Sequence, residues 1–230
     1  MFFRQLFDPT SSTYTYVIGD KATGTAVIID PVIEQIDRDL ALLAEQSLSL
    51  AWILDTHVHA DHVTGAKSLK AATGARTTVG LACGAIGYDR SLVDDDEIRF
   101  GSMHLRAIAT PGHTPGSMSF LCEDRVFTGD TLLIGGCGRS DFQNGDPEAL
   151  YYSITERLFT LNDDTLVYPA HDYKGRRVSS IGEEKALNPR LAGKTREDFV
   201  TLMCNLGLPP PKLLSVAVPA NLQGGVVNRA

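Results

Sequence analysis

The segment 55–65, DTHVHADHVTG, holds His57, His59 and His62 with Asp61 among them, so half of the chain's six histidines fall within six residues. Imidazole and carboxylate are ordinary ligands for zinc, iron or manganese. The plain alternative is a polar loop with Asp61 capping a helix. Three histidines and an acid gathered behind an apolar run argue against it. Three more ligand-type residues stand in similar places. His113 lies between the two Pro-Gly pairs of TPGHTPGS, which fix the turn on both sides. Asp130 closes FTGD, and His171 follows YPA. His104 sits inside a strand pattern and is expected to be structural or exposed.

Such residues need rigid elements to aim them. Apolar and β-branched runs predict strands over 2–7, 13–18 and 25–30. Ile33, Ile36, Leu40 and Leu43 recur at helical spacing and predict a helix over 32–46. LAWILDT then reads as a buried strand that delivers Asp55 and the histidine segment, with a helix over 63–72 behind it. EIRFGSMHLRAIAT, SMSFLC and RVFTGD read as four more strands. A helix over 147–161 follows, with Asp146 as its cap and Pro147 in its first turn. DTLVYPA is another strand, and the tail over 183–206 reads as helical with a break near NPRLAGKT. This order suits two sheets, each covered by helices on its outer face, with residues 1–230 forming one domain.

Composition narrows the function. The 230 residues carry a net charge of -7, so a nonspecific nucleic-acid surface is not expected. The acidic run 94–97 reads as a solvated turn. No apolar stretch approaches the roughly 20 residues of a membrane span. Four cysteines without close spacing argue for reduced thiols. The start of the chain lacks signal-peptide features, and a bacterial cytoplasmic location is expected.

Together, H-x-H-x-D-H, His113, Asp130 and His171 resemble the metal signature of the metallo-β-lactamase superfamily, which implies an α/β fold, an αββα sandwich of two mixed sheets. The superfamily pattern admits two ions: His57, His59 and His113 on one, Asp61, His62 and His171 on the other, and Asp130 bridging. Such a pair activates water for hydrolysis, as in glyoxalase II-like hydroxyacylglutathione hydrolases with a dinuclear zinc site. GDTLLIGGCGRSDFQNGD, YPAHDYKG, EEKALNPRL and VPANLQGG are closer to the persulfide dioxygenase family. That resemblance implies one Fe(II) per chain on His57, His113 and Asp130, a two-histidine, one-carboxylate set with positions left open for O2 and substrate. It leaves His59, Asp61, His62 and His171 as supporting groups or an unfilled second site. The implied reaction turns glutathione persulfide, O2 and water into sulfite and glutathione, and a homodimer is expected. A β-lactamase fits the loops less well. A noncatalytic binding protein would be missing ligands, and none is missing.

Glutathione carries two carboxylates, so nearby cations matter. Arg139 in GCGRSDF, Tyr173, Lys174 and Arg177 are the candidates for substrate binding, with Arg176 in the same basic cluster. Tyr168 could equally be a packing residue. Cys137, two residues before Arg139, is expected to be a small packed thiol rather than a redox sensor. Cys83, Cys122 and Cys204 are expected to be ordinary buried thiols.

Overall fold

The computed structural model describes residues 1–226. Strands β1 (Phe2–Asp8), β2 (Thr13–Asp20), β3 (Thr25–Ile29), β4 (Ser49–Leu54), β5 (Arg76–Gly80) and β6 (Arg90–Leu92) form the first sheet in sequential order. Its first three strands are antiparallel, and β3 through β6 are parallel. The second sheet contains β7 (Glu97–Phe100), β8 (Met103–Ala109), β9 (Met118–Cys122), β10 (Arg125–Gly129), β11 (Leu166–Pro169) and β12 (Ser179–Ser180). Here only the β10–β11 pair is parallel. Helices are α1 (Ile36–Glu45), α2 (Ala66–Thr73), α3 (Pro147–Tyr152), α4 (Ile181–Leu187), α5 (Arg196–Cys204) and α6 (Leu214–Asn221).

Alternating side chains send each strand's apolar residues to two cores. Tyr16, Ile18, Val27, Ile29, Trp52 and Leu54 face Phe100, Leu105, Phe120 and Phe127 between the sheets. Their neighbours Val17, Ala26, Ile28 and Ile53 point the other way, against Leu43 of α1 and Leu69 of α2. Val126 and Val167 likewise back onto Leu150, Ile181 and Phe199 of α3, α4 and α5. Burial on both faces is why these strands read as nearly continuous apolar runs. The layers are therefore helix, sheet, sheet, helix. Among the described residues, no helix is long and apolar enough to cross a membrane.

Several local expectations change. The helix predicted over 32–46 opens as a 3-10 turn, Ile33–Gln35, before α1. The segment 63–72 becomes helical only at Ala66, so Asp61 caps nothing, and Gly65 stands at the N-cap without a side-chain bond. Strands β5 and β6 are too short and too polar to stand out in the sequence. The helix predicted over 147–161 divides into α3 and a π-helical turn, Ser153–Leu158, while the Asp146 carboxylate does accept from the Glu148 and Ala149 amides. Helix α6 is new, and its Pro219 explains why it was not legible. The acidic turn 94–97 is not merely solvated: Asp94, Asp95 and Asp96 pair with Arg157, Arg106 and Arg90. Tyr168 packs in the inter-sheet core, its ring 5.6 Å from that of Phe127.

Candidate metal centre

The loop after β4 carries His57, His59, Asp61 and His62 to one edge of the sandwich. The loop after β8 brings His113, the end of β10 brings Asp130, and the end of β11 brings His171. Gly112 makes the β8–β9 loop possible. It has φ +136°, and any Cβ there would run into the Leu150 backbone of α3. Gly138 does the same for Asp130: its amide donates to the Asp130 carbonyl at 2.7 Å, a contact that leaves no room for a side chain.

His57, His113 and Asp130 each place a ligand atom within 4.8 Å of the others. The hydrogen bonds fix which imidazole nitrogen is free. Thr56 Oγ1 donates to Asp30 Oδ2 at 2.9 Å, so at 3.0 Å it accepts from His57 Nδ1. His113 Nδ1 lies 2.6 Å from the Arg139 carbonyl, which can only accept. Each ring therefore uses Nδ1 as the donor to its support, which leaves Nε2 as the nitrogen that can ligate. His113 Nε2 faces Asp130 Oδ2 at 3.6 Å. Burial first, then the neighbouring imidazoles, holds His57 well below the ordinary histidine range, so it is neutral and ready to ligate.

The other four groups form a second, tightly bonded corner. His171 Nδ1 lies 2.6 Å from Asp130 Oδ1, and its Nε2 lies 2.9 Å from Asp61 Oδ2. His62 Nδ1 reaches the same Asp61 oxygen at 2.9 Å. Burial opposes ionisation of Asp61 and Asp130, but the adjacent imidazoles outweigh it and hold both carboxyls below their usual range. His59 Nε2 lies 3.1 Å from Asp30 Oδ1. Burial opposes charge on His59 too, yet Asp30 lifts it to about 9. His59, Asp61 and His62 make a second possible metal-ligating group, and Asp30, Asp55 and His59 a third. His59 Nδ1 and His62 Nε2 are buried without a hydrogen-bond partner among the described residues.

Sequence reasoning missed Asp30, Thr13, Thr56 and Asn221. Asp30 carried the same signal as Asp130, an apolar strand ending in an acid. It sits in the left-handed region at φ +51° and receives the Thr56 amide at 2.7 Å. Asn221 explains VPANLQGG. Its side-chain amide donates to the His59 and His62 carbonyls, each at 2.9 Å, and its oxygen accepts from the Thr64 amide at 2.9 Å. EEKALNPRL supports the loop after β10 in a similar way. Glu184 accepts from the Gly135 amide at 2.9 Å, and Arg190 donates to the Cys137 carbonyl at 2.6 Å. Both motifs brace the loops that carry the candidate ligands.

The candidate substrate residues differ in placement. Tyr173 is 74% exposed, its ring parallel to His171 at 6.2 Å. Lys174 and Arg177 are exposed on the same loop, and no salt bridge engages them among the described residues. Arg176 instead closes on Asp172 at 2.9 Å. Arg139 is largely committed: it grips both Asp141 oxygens, donates to the Leu208 and Pro209 carbonyls, and stacks on Phe142. Those four hydrogen bonds leave one of its five N–H groups. Cys137 is buried beside Met203, and burial pushes its thiol up to about 11, as expected of a packed residue. Cys122 is buried as expected, but Cys204 is exposed and Cys83 only half-buried, because α5 turns Cys204 away from its packed face. His104 is exposed.

The metallo-beta-lactamase superfamily profile matches residues 8–82 and 83–171. Human mitochondrial persulfide dioxygenase ETHE1 is 48% identical over 226 residues, covering 97% of this chain and 88% of the human one. The chain belongs to the metallo-beta-lactamase superfamily and, within it, to the persulfide dioxygenase family. The crystal structure of ETHE1 from Myxococcus xanthus is 56% identical and superimposes with a TM-score of 0.97 over 98% of this chain and 100% of that one. A metallo-beta-lactamase from Staphylococcus aureus, 26% identical, superimposes at 0.90 over 99% of this chain and 74% of its own. The αββα architecture is thus that of the family.

Proposed function

We propose that this enzyme oxidises glutathione persulfide with O2 and water to sulfite and glutathione, using one Fe(II) on His57, His113 and Asp130. The observation that carries the proposal is the pair of imidazoles locked with free Nε2 lone pairs beside one carboxylate. Two histidines and one carboxylate suit a non-haem Fe(II) with open positions. Support also comes from the human relative, whose name states persulfide dioxygenase activity. When bound, the iron supplies the activation of O2. The terminal sulfur gives up four electrons, O2 takes them, and the S–S bond ends as a thiol.

The protein's own part is positioning. Thr56 and the Arg139 carbonyl hold the two rings, and His171 holds the remote oxygen of Asp130. Tyr173 stands exposed with its ring parallel to that of His171 and is proposed to contact the substrate. Lys174, Arg177 and the one remaining N–H of Arg139 are proposed to meet the carboxylates of glutathione, and the location is proposed to be cytoplasmic. The rival is a dinuclear zinc hydrolase of hydroxyacylglutathione, favoured by the second ligand group, His59, Asp61 and His62. Anaerobic purification with Fe(II), followed by oxygen-electrode kinetics on glutathione persulfide, separates them. Persulfide-dependent O2 uptake at one iron per chain is expected. Two zinc ions per chain with fast S-lactoylglutathione hydrolysis and no O2 uptake would overturn the proposal.

A further inference from the structure

The residues for a second ion are all present, so something other than their absence must decide the metal count. Thr13, the first residue of β2, lies in their midst. Its Oγ1 is 3.1 Å from Asp61 Oδ2, 3.1 Å from His171 Nε2 and 3.3 Å from His62 Nδ1. These three residues are the ones the superfamily pattern gives to the second ion. Thr13 is fully buried, so its hydroxyl must find its partners within the protein.

The fold carries this hydroxyl there and holds it. Thr13 forms an isolated bridge with His171, and the Tyr14 amide donates to the Ala170 carbonyl at 2.7 Å, so β2 of one sheet is tied to the end of β11 in the other. From outside, Ser11 Oγ lies 2.7 Å from both Thr13 Oγ1 and Asp8 Oδ2; it donates to Thr13 when Thr13 donates to Asp61, while the Ser11 amide holds Asp8 Oδ2 at 2.8 Å. Asp8 is fixed on its other oxygen by Gln35 at 2.7 Å. A chain of four side chains thus ends on the hydroxyl.

We propose that Thr13 sets the metal count: its hydroxyl ties Asp61, His62 and His171 to one another and keeps a second ion out. A second ion needs Asp61 Oδ2 and His171 Nε2 turned toward a common point at about 2.0–2.2 Å from each. In this corner those two atoms are turned toward each other and toward Thr13, and His171 has its other nitrogen on Asp130. Breaking the knot would strand buried polar groups, a cost the incoming ion must first meet. The inference rests on the one-metal reading above, and it adds the residue that enforces it.

The test is metal stoichiometry. Wild-type protein, Thr13→Ala and Thr13→Ser are stripped of metal and titrated with Co(II), with bound metal per chain measured by elemental analysis and the ligand field by visible absorption. Far-UV circular dichroism checks the fold. Wild type and Thr13→Ser should bind one ion per chain, and Thr13→Ala should approach two. Two ions on wild type would sink the one-metal reading and the role of Thr13 with it. One ion on wild type and still one on folded Thr13→Ala would overturn the role of Thr13 alone. Should Thr13→Ala not fold, Thr13→Val decides, because it keeps the shape of the buried side chain and removes only the hydroxyl. Binding of a second ion supports the proposal, and one ion overturns it.

Discussion

Asn221 offers the sharpest test of how the tail supports the metal loop. Asn221→Ala removes three hydrogen bonds to main-chain groups of the loop 59–64, at 2.9 Å each. The residue is 1% exposed, so water does not readily replace them. At about 1 kcal/mol net per bond, the loss is about 3 kcal/mol, and stranded buried groups push it higher. That is a large share of the roughly 5–15 kcal/mol that holds a typical domain. Asn221→Asp should be at least as harmful, since it keeps the acceptor for Thr64 but turns a carboxylate oxygen on two carbonyls. Urea unfolding of metal-free protein reads the stability directly. Competition with a chelator reads the second effect, an expected rise of about tenfold or more in the metal dissociation constant, typical when groups behind the ligands are lost. An Asn221→Ala midpoint corresponding to less than about 0.5 kcal/mol would refute the reasoning, because three buried bonds cannot vanish at that cost.

Two further outcomes follow from the same geometry. Burial lifts the fully buried Asp39 to about 6, against the pull of Arg38, so the native state binds this proton more tightly than the unfolded chain does. Stability should therefore fall as pH rises from about 4 to about 6 and then level off. Asp39→Asn should remove this residue's share of the slope, leaving the share of Asp55, which burial also lifts to about 6, and gain up to about 3 kcal/mol at pH 7, read as the difference from wild type in urea midpoints at pH 4.5 and 7. Glu184→Gln weakens the carboxylate that receives the Gly135 amide and the Asn188 side chain. A loss of about 1–2 kcal/mol is expected, with weaker metal binding, since the loop it braces also supplies the carbonyl that orients His113. Unchanged thermal midpoint and metal content would show the brace to be idle.

How much was legible in advance depends on range along the chain. The candidate ligands announced themselves because each closely follows an apolar strand, and strands buried on both faces are easy to read. The layering followed from the same runs. Short, polar β5 and β6 were missed because they belong to the sheet through their neighbours' hydrogen bonds, not through their own pattern. Helix α6 was hidden by Pro219. Arg139 read as a substrate-binding candidate, and nothing near it in sequence shows that Leu208 and Pro209 come to meet it.

The sequence by itself determined which side chains gather at this edge and what elements present them. It also carried the family signature in its loops. Only the tertiary structure decided what each of those side chains does when it arrives. Thr56, Asp30 and the Arg139 carbonyl choose the free imidazole nitrogen of His57 and His113. Asn221 reaches back across 162 residues to the His59 carbonyl, and Thr13 and His171 meet across 158. Such partners have no period and no local spacing. They are set by the packing of the two sheets and of helix α6 against them, and a hydrogen bond over that distance is visible only once those elements have packed.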